Sequence, residues 1–380
     1  MLSKFSLHAN KMTEFMTINF KKFNMIQVNL KADNNVYIQI LHEEECVYTN
    51  HVMNLEELID FSSLVAGTVE ELSICIYIID GSQKVTVDFE ANTILKPVIL
   101  RGDFHAHTNS SGDGRHTISE LVEMAEAANL DFITLTDHNS HAANFAKHPE
   151  TDSIIIPGME LTNKFGHCNL LGKKQAISNC RVVTYEDELA KIREAQSNGA
   201  TFVANHPFSP KSRSWMVPIM ELTPDLVEIW NGPWGMHNRV AFEWWLDILN
   251  SGKYIPAIGG SDFHFEDEGK QIYIPTNIIT SRFKSTSGIL EAALTGNNAI
   301  SNTDIEVSFD NNKIAIKNVK ETVYLYKYER YKCTSIEVTA DTVVEIDESK
   351  IDGYLVITLC TSTKRDREYI YISNPLIMKG

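Results

Sequence analysis

Residues 98–108 read V-I-L-R-G-D-F-H-A-H-T, an apolar run that ends in two histidines one residue apart. Runs of the same kind recur as D-F-I-T-L-T-D-H-N (131–139), S-I-I-I-P-G-M-E-L-T (153–162), H-C-N-L-L-G (167–172), T-F-V-A-N-H-P (201–207), L-V-E-I-W-N-G (226–232) and I-P-A-I-G-G-S-D-F-H (255–264). Y-I-P-T-N-I-I at 273–279 is a weaker member. Helical stretches separate them. In residues 117–130, Thr117 and Glu120 form a potential capping box, and Ile118, Leu121, Val122, Ala125 and Ala128 fall on one face. Residues 185–199, 238–252 and 287–297 are further helices, each closed by a nearby Gly or Asn. Short buried strands alternating with helices predict a parallel βα architecture. So many units in about 200 residues favour a compact barrel over an open sheet.

The chemistry is written at the ends of these runs, where a parallel βα fold collects its ligands. In a strand, residues two apart share a side, so His105 and His107 can present two imidazole nitrogens to one ion. Asp103 has the same parity and is a candidate acceptor for a ring N–H. The loop S-S-G-D-G-R-H at 110–116 offers Asp113 as a hard oxygen donor and His116 as a nitrogen alternative. His138 ends the second run, and its neighbour Asp137 faces the other way, suited to bracing the loop. Glu160 ends the third; a buried carboxylate there needs partners, and bridging two ions supplies them. His167 and His206 add nitrogen donors, and Asp262 with His264 repeats the spacing of the first pair. Nine donors shared among ions of four to six ligands suit two or three metals and exceed what one zinc needs. Arg115, Lys211, Arg213 and Arg239 are cations that could clamp an oxyanion. Trp230 and Trp234 follow a strand end and could line a substrate pocket; Trp244 and Trp245 read as core. His237 sits in an Asn-rich turn and is ambiguous.

Outside residues 98–300 the pattern is β. Runs such as N-N-V-Y-I-Q-I-L and L-S-I-C-I-Y-I-I-D before residue 97, and K-I-A-I-K-N and E-Y-I-Y-I-S after 301, read as strands of two antiparallel domains. The expected organisation is therefore an N-terminal β domain over 1–97, a barrel over 98–300 and a C-terminal β domain over 301–380. Of 380 residues, 34 are Lys or Arg and 50 are Asp or Glu, a net charge of -16. That balance argues against a stable nucleic-acid complex or an anionic membrane partner. A small anionic substrate stays compatible, because bound cations would invert the local field. Six scattered cysteines without close pairing fit reduced thiols, and no run approaches about 18 apolar residues, so a soluble cytoplasmic protein is expected. Oligomeric state leaves no mark in the sequence.

At D-F-H-A-H-T (103–108), L-T-D-H-N (135–139), P-G-M-E (157–160), G-H-C-N-L-L-G (166–172), A-N-H-P (204–207) and G-G-S-D-F-H (259–264) the chain resembles the PHP (polymerase and histidinol phosphatase) superfamily of metallohydrolases. The E-x-T-x-x-x-G-H-x-N element at 160–169 and V-E-I-W-N-G-P-W at 227–234 make it most similar to the CehA/McbA-type branch. The resemblance covers residues 98–300 and implies an α/β fold, a distorted (β/α)7-type PHP barrel, flanked here by the two antiparallel β domains. It implies two or three divalent ions, Zn, Mn or Fe: one held by His105, His107, Glu160 and Asp262, a second by Glu160, His167 and His206, a third by Asp113, His138 and His264. The chain departs from the family's pattern where N-S-S-G separates Thr108 from Asp113, which leaves His116 as an alternative third-site ligand. The implied activity is hydrolysis of small phosphoesters by a metal-bridging hydroxide, with Glu160 and Asp262 as catalytic residues and Arg115 or Arg239 steadying the phosphoryl oxygens. A carbamate, ester or amide hydrolase is the alternative, and a non-enzymatic interaction protein a third reading.

Overall fold

The computed structural model describes only strand backbones between residues 1 and 96, and side chains from residue 97 onward except at 211–213, 220, 267–270, 282–283, 311, 365 and 378–380. The chain divides into two compact units, residues 1–98 with 282–288 and residues 99–281 with 289–380.

In the first unit, β1 (Ser3–Ala9), β2 (Thr13–Phe23), β3 (Gln27–Ala32), β4 (Val36–His42), β5 (Glu45–Val52), β6 (Glu56–Asp60), β7 (Val69–Ile78) and β8 (Val85–Asn92) form two four-stranded sheets. Their orders are β1-β8-β3-β6 and β2-β7-β4-β5, with every pairing antiparallel.

The second unit opens with β9 (Val98–Ala106), β10 (Phe132–Leu135), β11 (Ile154–Asn163), β12 (Gly166–Leu171), β13 (Thr201–Ala204), β14 (Leu226–Asn231) and β15 (Ala257–Gly260), adjacent in that order. Pairing is parallel from β9 to β11 and from β13 to β15. It is antiparallel on both sides of β12, a departure from an all-parallel series. On the β11 side the reason is length: between β11 and β12 lies only a tight turn, whereas a parallel crossover needs a dozen or more residues. Residues following β15 return to β9, where Asp262 N donates to His105 O (2.8 Å) and His107 N to Phe263 O (2.9 Å). The two ends of the seven-strand series therefore meet where the histidines lie.

Helices α1 (Ile118–Ala127), α2 (Ala142–Phe145), α3 (Tyr185–Ser197), α4 (Met236–Asn250) and α5 (Thr286–Leu294) are the α-helices among the described residues, which gives a mixed α/β fold with parallel and antiparallel strands. The box expected at Thr117 is formed: Glu120 N donates to Thr117 Oγ1 at 3.3 Å and Thr117 N to Glu120 Oε2 at 2.7 Å. Ile118, Leu121, Val122 and Ala125 are buried, as the spacing requires. Past α3 and α4 the chain turns through Gly199 and Gly252 at φ of 77° and 83°, a region that favours glycine.

The hydrogen-bonded path continues from β9 through β16 (Thr276–Ser281) and β17 (Asn298–Ser301) into the C-terminal strands. Those are β18 (Glu306–Asp310), β19 (Lys313–Lys317), β20 (Val323–Glu329), β21 (Lys332–Val338), β22 (Thr342–Glu345), β23 (Tyr354–Cys360), β24 (Tyr369–Ser373) and β25 (Leu376–Ile377). The path runs β16-β17-β24-β23-β20-β21, β25 pairs with β23, and β18-β19-β22 form a separate sheet. Residues 301–380 thus share one contact unit with residues 99–281. In β19 the alternation read from K-I-A-I-K buries Ile314 and Ile316 while both lysines are exposed.

One buried charge in this framework sets a test. Glu188 of α3 is fully buried; its Oε2 accepts from Asn163 Nδ2 at 2.7 Å, and its Oε1 has no partner among the described residues. Burial, opposed in part by that hydrogen bond, raises the carboxyl from its ordinary 4.5 to about 7. The folded chain thus holds this proton more tightly than the unfolded chain. The cost of ionising it is absent below pH 4.5, grows from 4.5 to 7 and is complete above. Glu188→Gln is expected to raise stability at pH 8 by about 3 kcal/mol, at about 1.36 kcal/mol per unit, and to change nothing near pH 4. Thermal melts of both proteins at the two pH values check this; superimposed melts at pH 8 would refute it.

Candidate metal centre

The strand ends bring Asp113, His105, His107, His138, Glu160, His167, His206, Asp262 and His264 into one cluster around Glu160. Glu160 is completely buried, and five imidazoles surround its carboxylate. Oε1 lies 3.1 Å from His167 Nδ1, 3.4 Å from His206 Nε2 and 3.5 Å from His105 Nε2. Oε2 lies 2.6 Å from His138 Nδ1 and 3.7 Å from His107 Nε2. Asn205 Nδ2 donates to Oε1 at 2.9 Å and is itself bonded to Asn169, which fixes the carboxylate plane. Asp262 Oδ1 approaches His107 Nε2 at 3.1 Å and His105 Nε2 at 3.5 Å.

The outer part of the cluster is more open. Asp113, whose side chain is 55% exposed, places Oδ2 at 3.4 Å from both His138 Nε2 and His264 Nε2. His116 goes elsewhere: its Nε2 meets Glu266 at 3.0 Å and its ring stacks on Phe263. The inserted N-S-S-G therefore lengthens the loop without displacing Asp113 from the two histidines. Asp137 braces that loop, its carboxylate accepting from Thr108 N (2.6 Å) and Thr108 Oγ1 (2.8 Å).

Electrostatics divide the imidazoles. Burial works to raise the Glu160 carboxyl but is outweighed by the charge of His105 and by hydrogen bonds from His105, His138 and His167, which hold it well below its ordinary range. Burial would lower His105, yet Glu228, Asp262 and Glu160 drive it well above 6.5. His107 has weaker compensation, and burial takes it down to about 3. His138 and His206 are raised against burial, chiefly through Glu160.

The donors fit divalent cations. Imidazole nitrogens face one another in pairs that share a carboxylate oxygen: His105 Nε2 and His107 Nε2, 3.1 Å apart, both approach Asp262 Oδ1, and His138 Nε2 and His264 Nε2, 3.5 Å apart, both approach Asp113 Oδ2. The buried Nδ1 of His206 has no hydrogen-bond partner among the described residues. Sets close enough to share an ion are His105, His107 and Glu160; His138, Glu160 and His167; His107, His138 and His264; and His105, His206 and Glu228. Mixed imidazole and carboxylate donors suit borderline and hard cations of the zinc, manganese and iron kind.

Two residues have roles that differ from the sequence reading. Asp103 accepts from the backbone N–H groups of His105 and Ser261, both at 3.0 Å, and from the Ser261 hydroxyl, so it ties β9 to the segment after β15. The acceptor for a ring nitrogen is instead Glu228, 3.0 Å from His105 Nδ1 and almost fully buried, which sequence reasoning missed. A signal was present: L-V-E-I-W-N is an acid inside an apolar strand, and such an acid needs a partner.

The described cationic and aromatic candidates have partners of their own. Arg115 stacks on Phe265, its guanidinium carbon 3.7 Å from the ring centre, while its backbone N–H donates to His264 O. Arg239 donates to Glu243 at 2.9 Å, and Lys211 and Arg213 lie outside the described residues. Trp230 is completely buried, its Nε1 donating to Gly232 O, and packs edge-on against Trp234, which in turn meets Tyr369. Trp230 belongs to the core of the second unit, and Trp234, partly buried, packs against it. His237 packs at the start of α4, its Nε2 3.4 Å from Asn231 O. Cys168, Cys180, Cys333 and Cys360 are free thiols, and no helix among the described residues is long and apolar enough to cross a membrane.

Residues 103–197 match the PHP domain family, a segment that supplies six of the nine donors. An uncharacterized protein of Methanocaldococcus jannaschii, MJ1587, is 24% identical over 145 residues, 35% of this chain and 82% of its own length. Among solved structures, a two-domain protein from Bacteroides vulgatus, described as containing a predicted PHP-like metal-dependent phosphoesterase, superimposes with a TM-score of 0.45. It is 21% identical, and the alignment covers 74% of this chain and 96% of that one. The match of residues 103–197 to the PHP domain family, together with the imidazole–carboxylate cluster, supports a hydrolytic enzyme that uses divalent metal ions.

Proposed function

We propose that the protein hydrolyses small phosphoesters with two or three divalent ions, Zn, Mn or Fe, at the mouth of a distorted seven-strand barrel with β domains at 1–97 and 301–380. The observation that carries this reading is the fully buried Glu160 carboxylate ringed by five imidazoles, an arrangement too costly to retain unless cations share it. The inner ion would be held by His105, His107, Glu160 and Asp262, the next by Glu160, His167 and His206, and an outer one by Asp113, His138 and His264. Bound there, the ions supply Lewis acidity towards a phosphoryl oxygen and acidify water to a useful nucleophile near neutral pH.

The chain's own groups do the rest. Asn205 locks the Glu160 carboxylate, so the donors need little reorganisation as charge develops. Asp262, whose Oδ1 faces both inner histidines, would take the proton of the attacking water on its other carboxylate oxygen. Asp113, His138 and His264 form the exposed side, where a substrate oxygen enters and the leaving alkoxide departs. Arg115 is the better of the two cationic candidates for meeting that substrate, because its backbone is hydrogen-bonded to His264; Arg239 is engaged by Glu243. A carbonyl substrate loses the aromatic cradle that would have favoured it, since Trp230 is buried in the core. Free thiols at all four described cysteines agree with a reducing, cytoplasmic setting.

Protein reconstituted with Mn or Zn is expected to cleave p-nitrophenyl phosphate or its bis-ester, with free phosphate as a competitive inhibitor. Robust turnover of p-nitrophenyl acetate with neither phosphate ester cleaved above background would move the reaction to a carbonyl centre.

A further inference from the structure

The Glu228 carboxylate on β14 spends its acceptors on two of the cluster's histidines. Oε1 lies 3.0 Å from His105 Nδ1, and Oε2 accepts the backbone N–H of His206 at 2.9 Å. Asn231 Nδ2 approaches both oxygens at 3.3 Å, and Asn238 Oδ1 holds the Asn231 backbone at 2.9 Å. Space for this group comes from Gly260: a Cβ there would collide with Glu228 Oε1 and with His105.

An ionised carboxylate can only accept, so the hydrogen it meets on His105 must sit on Nδ1. A neutral imidazole has one protonated and one bare nitrogen; fixing the proton on Nδ1 leaves the lone pair on Nε2. Nε2 is the atom that faces His107 Nε2 at 3.1 Å, Glu160 at 3.5 Å and Asp262 at 3.5 Å. On the other side, Oε2 holds the backbone of His206, which sits at a φ of 27° that a non-glycine residue adopts only under restraint. Strand β14 contributes none of the nine donors, yet this one side chain fixes two of them, from β9 and from the end of β13.

We propose that Glu228 is the positioning residue of the inner site: it holds His105 in the tautomer that aims Nε2 at Glu160 and anchors His206 beside it. The proposal rests on the metal-binding reading above. Glutamine cannot replace it, because one amide offers one acceptor. If its oxygen faces His105, its NH2 confronts the His206 N–H; if it turns over, it donates to Nδ1 and moves the His105 proton onto Nε2.

The test compares wild-type protein and Glu228→Gln, using Zn2+ alone as probe. Titration against a chromophoric chelator is expected to show one zinc bound 10- to 100-fold more weakly in the variant, the range of a lost carboxylate partner to a ligating histidine. Nitrogen-15 spectra of histidine-labelled, zinc-loaded wild-type protein are expected to show His105 protonated at Nδ1 and bound through Nε2, a signature that a merely structural role would not dictate. Wild-type protein that binds zinc through His105 Nδ1, with Glu228 itself as a ligand, would overturn the role whether or not the variant folds. A variant that matches wild type in zinc affinity would overturn the role and leave the metal centre standing. Wild-type protein that takes up no zinc would overturn the metal centre, and this role with it.

Discussion

Glu160→Gln is expected to reduce hydrolysis more than about 100-fold and to release at least one metal equivalent. No other side chain in the cluster meets five imidazoles, and the carboxylate is completely buried. The amide is nearly isosteric, so the fold of β11 survives, but it removes the negative charge and turns one acceptor into a donor. His138 Nδ1 at 2.6 Å and His167 Nδ1 at 3.1 Å then compete for one oxygen, and one of them confronts an NH2 group. The raised His105 loses one of its three compensating carboxylates. Removal of a single partner around a ligating histidine costs about 10- to 100-fold; a residue that serves two ions at once should exceed that. Since the group is buried behind the entrance, kcat should fall with little change in KM. Paired measurements of turnover and metal content decide it: near-normal kcat with unchanged ion content would remove Glu160 from the centre of the mechanism.

Much of this site is legible in the sequence because its donors obey local rules. His105 and His107, like Asp262 and His264, sit two apart in segments that leave a strand end, and parity alone puts each pair together. Glu160 is legible from cost, as an acid that follows the run I-I-I-P-G-M and needs partners. Asp113 illustrates a limit. Its place between His138 and His264 depends on the loop 109–117 being pinned to the segment after β15, through Arg115 N to His264 O at 3.0 Å, and no periodicity encodes a contact across some 150 residues.

Other parts were readable but misread. The turn N-K-F-G at 163–166 is too short for a crossover, so β12 had to run antiparallel to β11, and the parallel reading of H-C-N-L-L-G ignored the spacing. Glu228 sits inside the apolar run L-V-E-I-W-N, and the burial argument that marks Glu160 points to it equally. Trp230 shows the opposite error. A large ring near a strand end invites a pocket, but β14 is irregular between Glu228 and Trp230, which breaks the strand's alternation, and the ring packs with Trp234, which meets Tyr369. Direction along a strand decides function here more than position along it.

Stripping the metals is expected to lower the melting temperature by roughly 15–30 °C and to abolish hydrolysis, with zinc or manganese restoring both. A ligand present at about 1,000 times its Kd stabilises the folded state by about 4 kcal/mol, so two such ions contribute about 8 kcal/mol. For units of 150–250 residues, each kcal/mol moves the midpoint by about 2–4 °C. The metal-free cluster survives by another route, in which protons occupy the donors: His105, His138 and His206 are all raised, and Glu160 is held ionised among them. A raised histidine stabilises the fold fully below its unfolded value near 6.5 and loses that contribution as pH climbs through the folded value. The metal-free protein should therefore weaken between pH 6 and pH 8. Metal binding runs the other way, because cations must displace those same protons. The gap between metal-loaded and metal-free melts should thus be wider at pH 8 than at pH 6. Melts in chelator and in excess zinc at the two pH values test both parts. A gap that is absent, or that narrows as pH rises, would mean that protons and cations do not compete for these nitrogens, and the cluster would have to be explained as an ion-pair network alone.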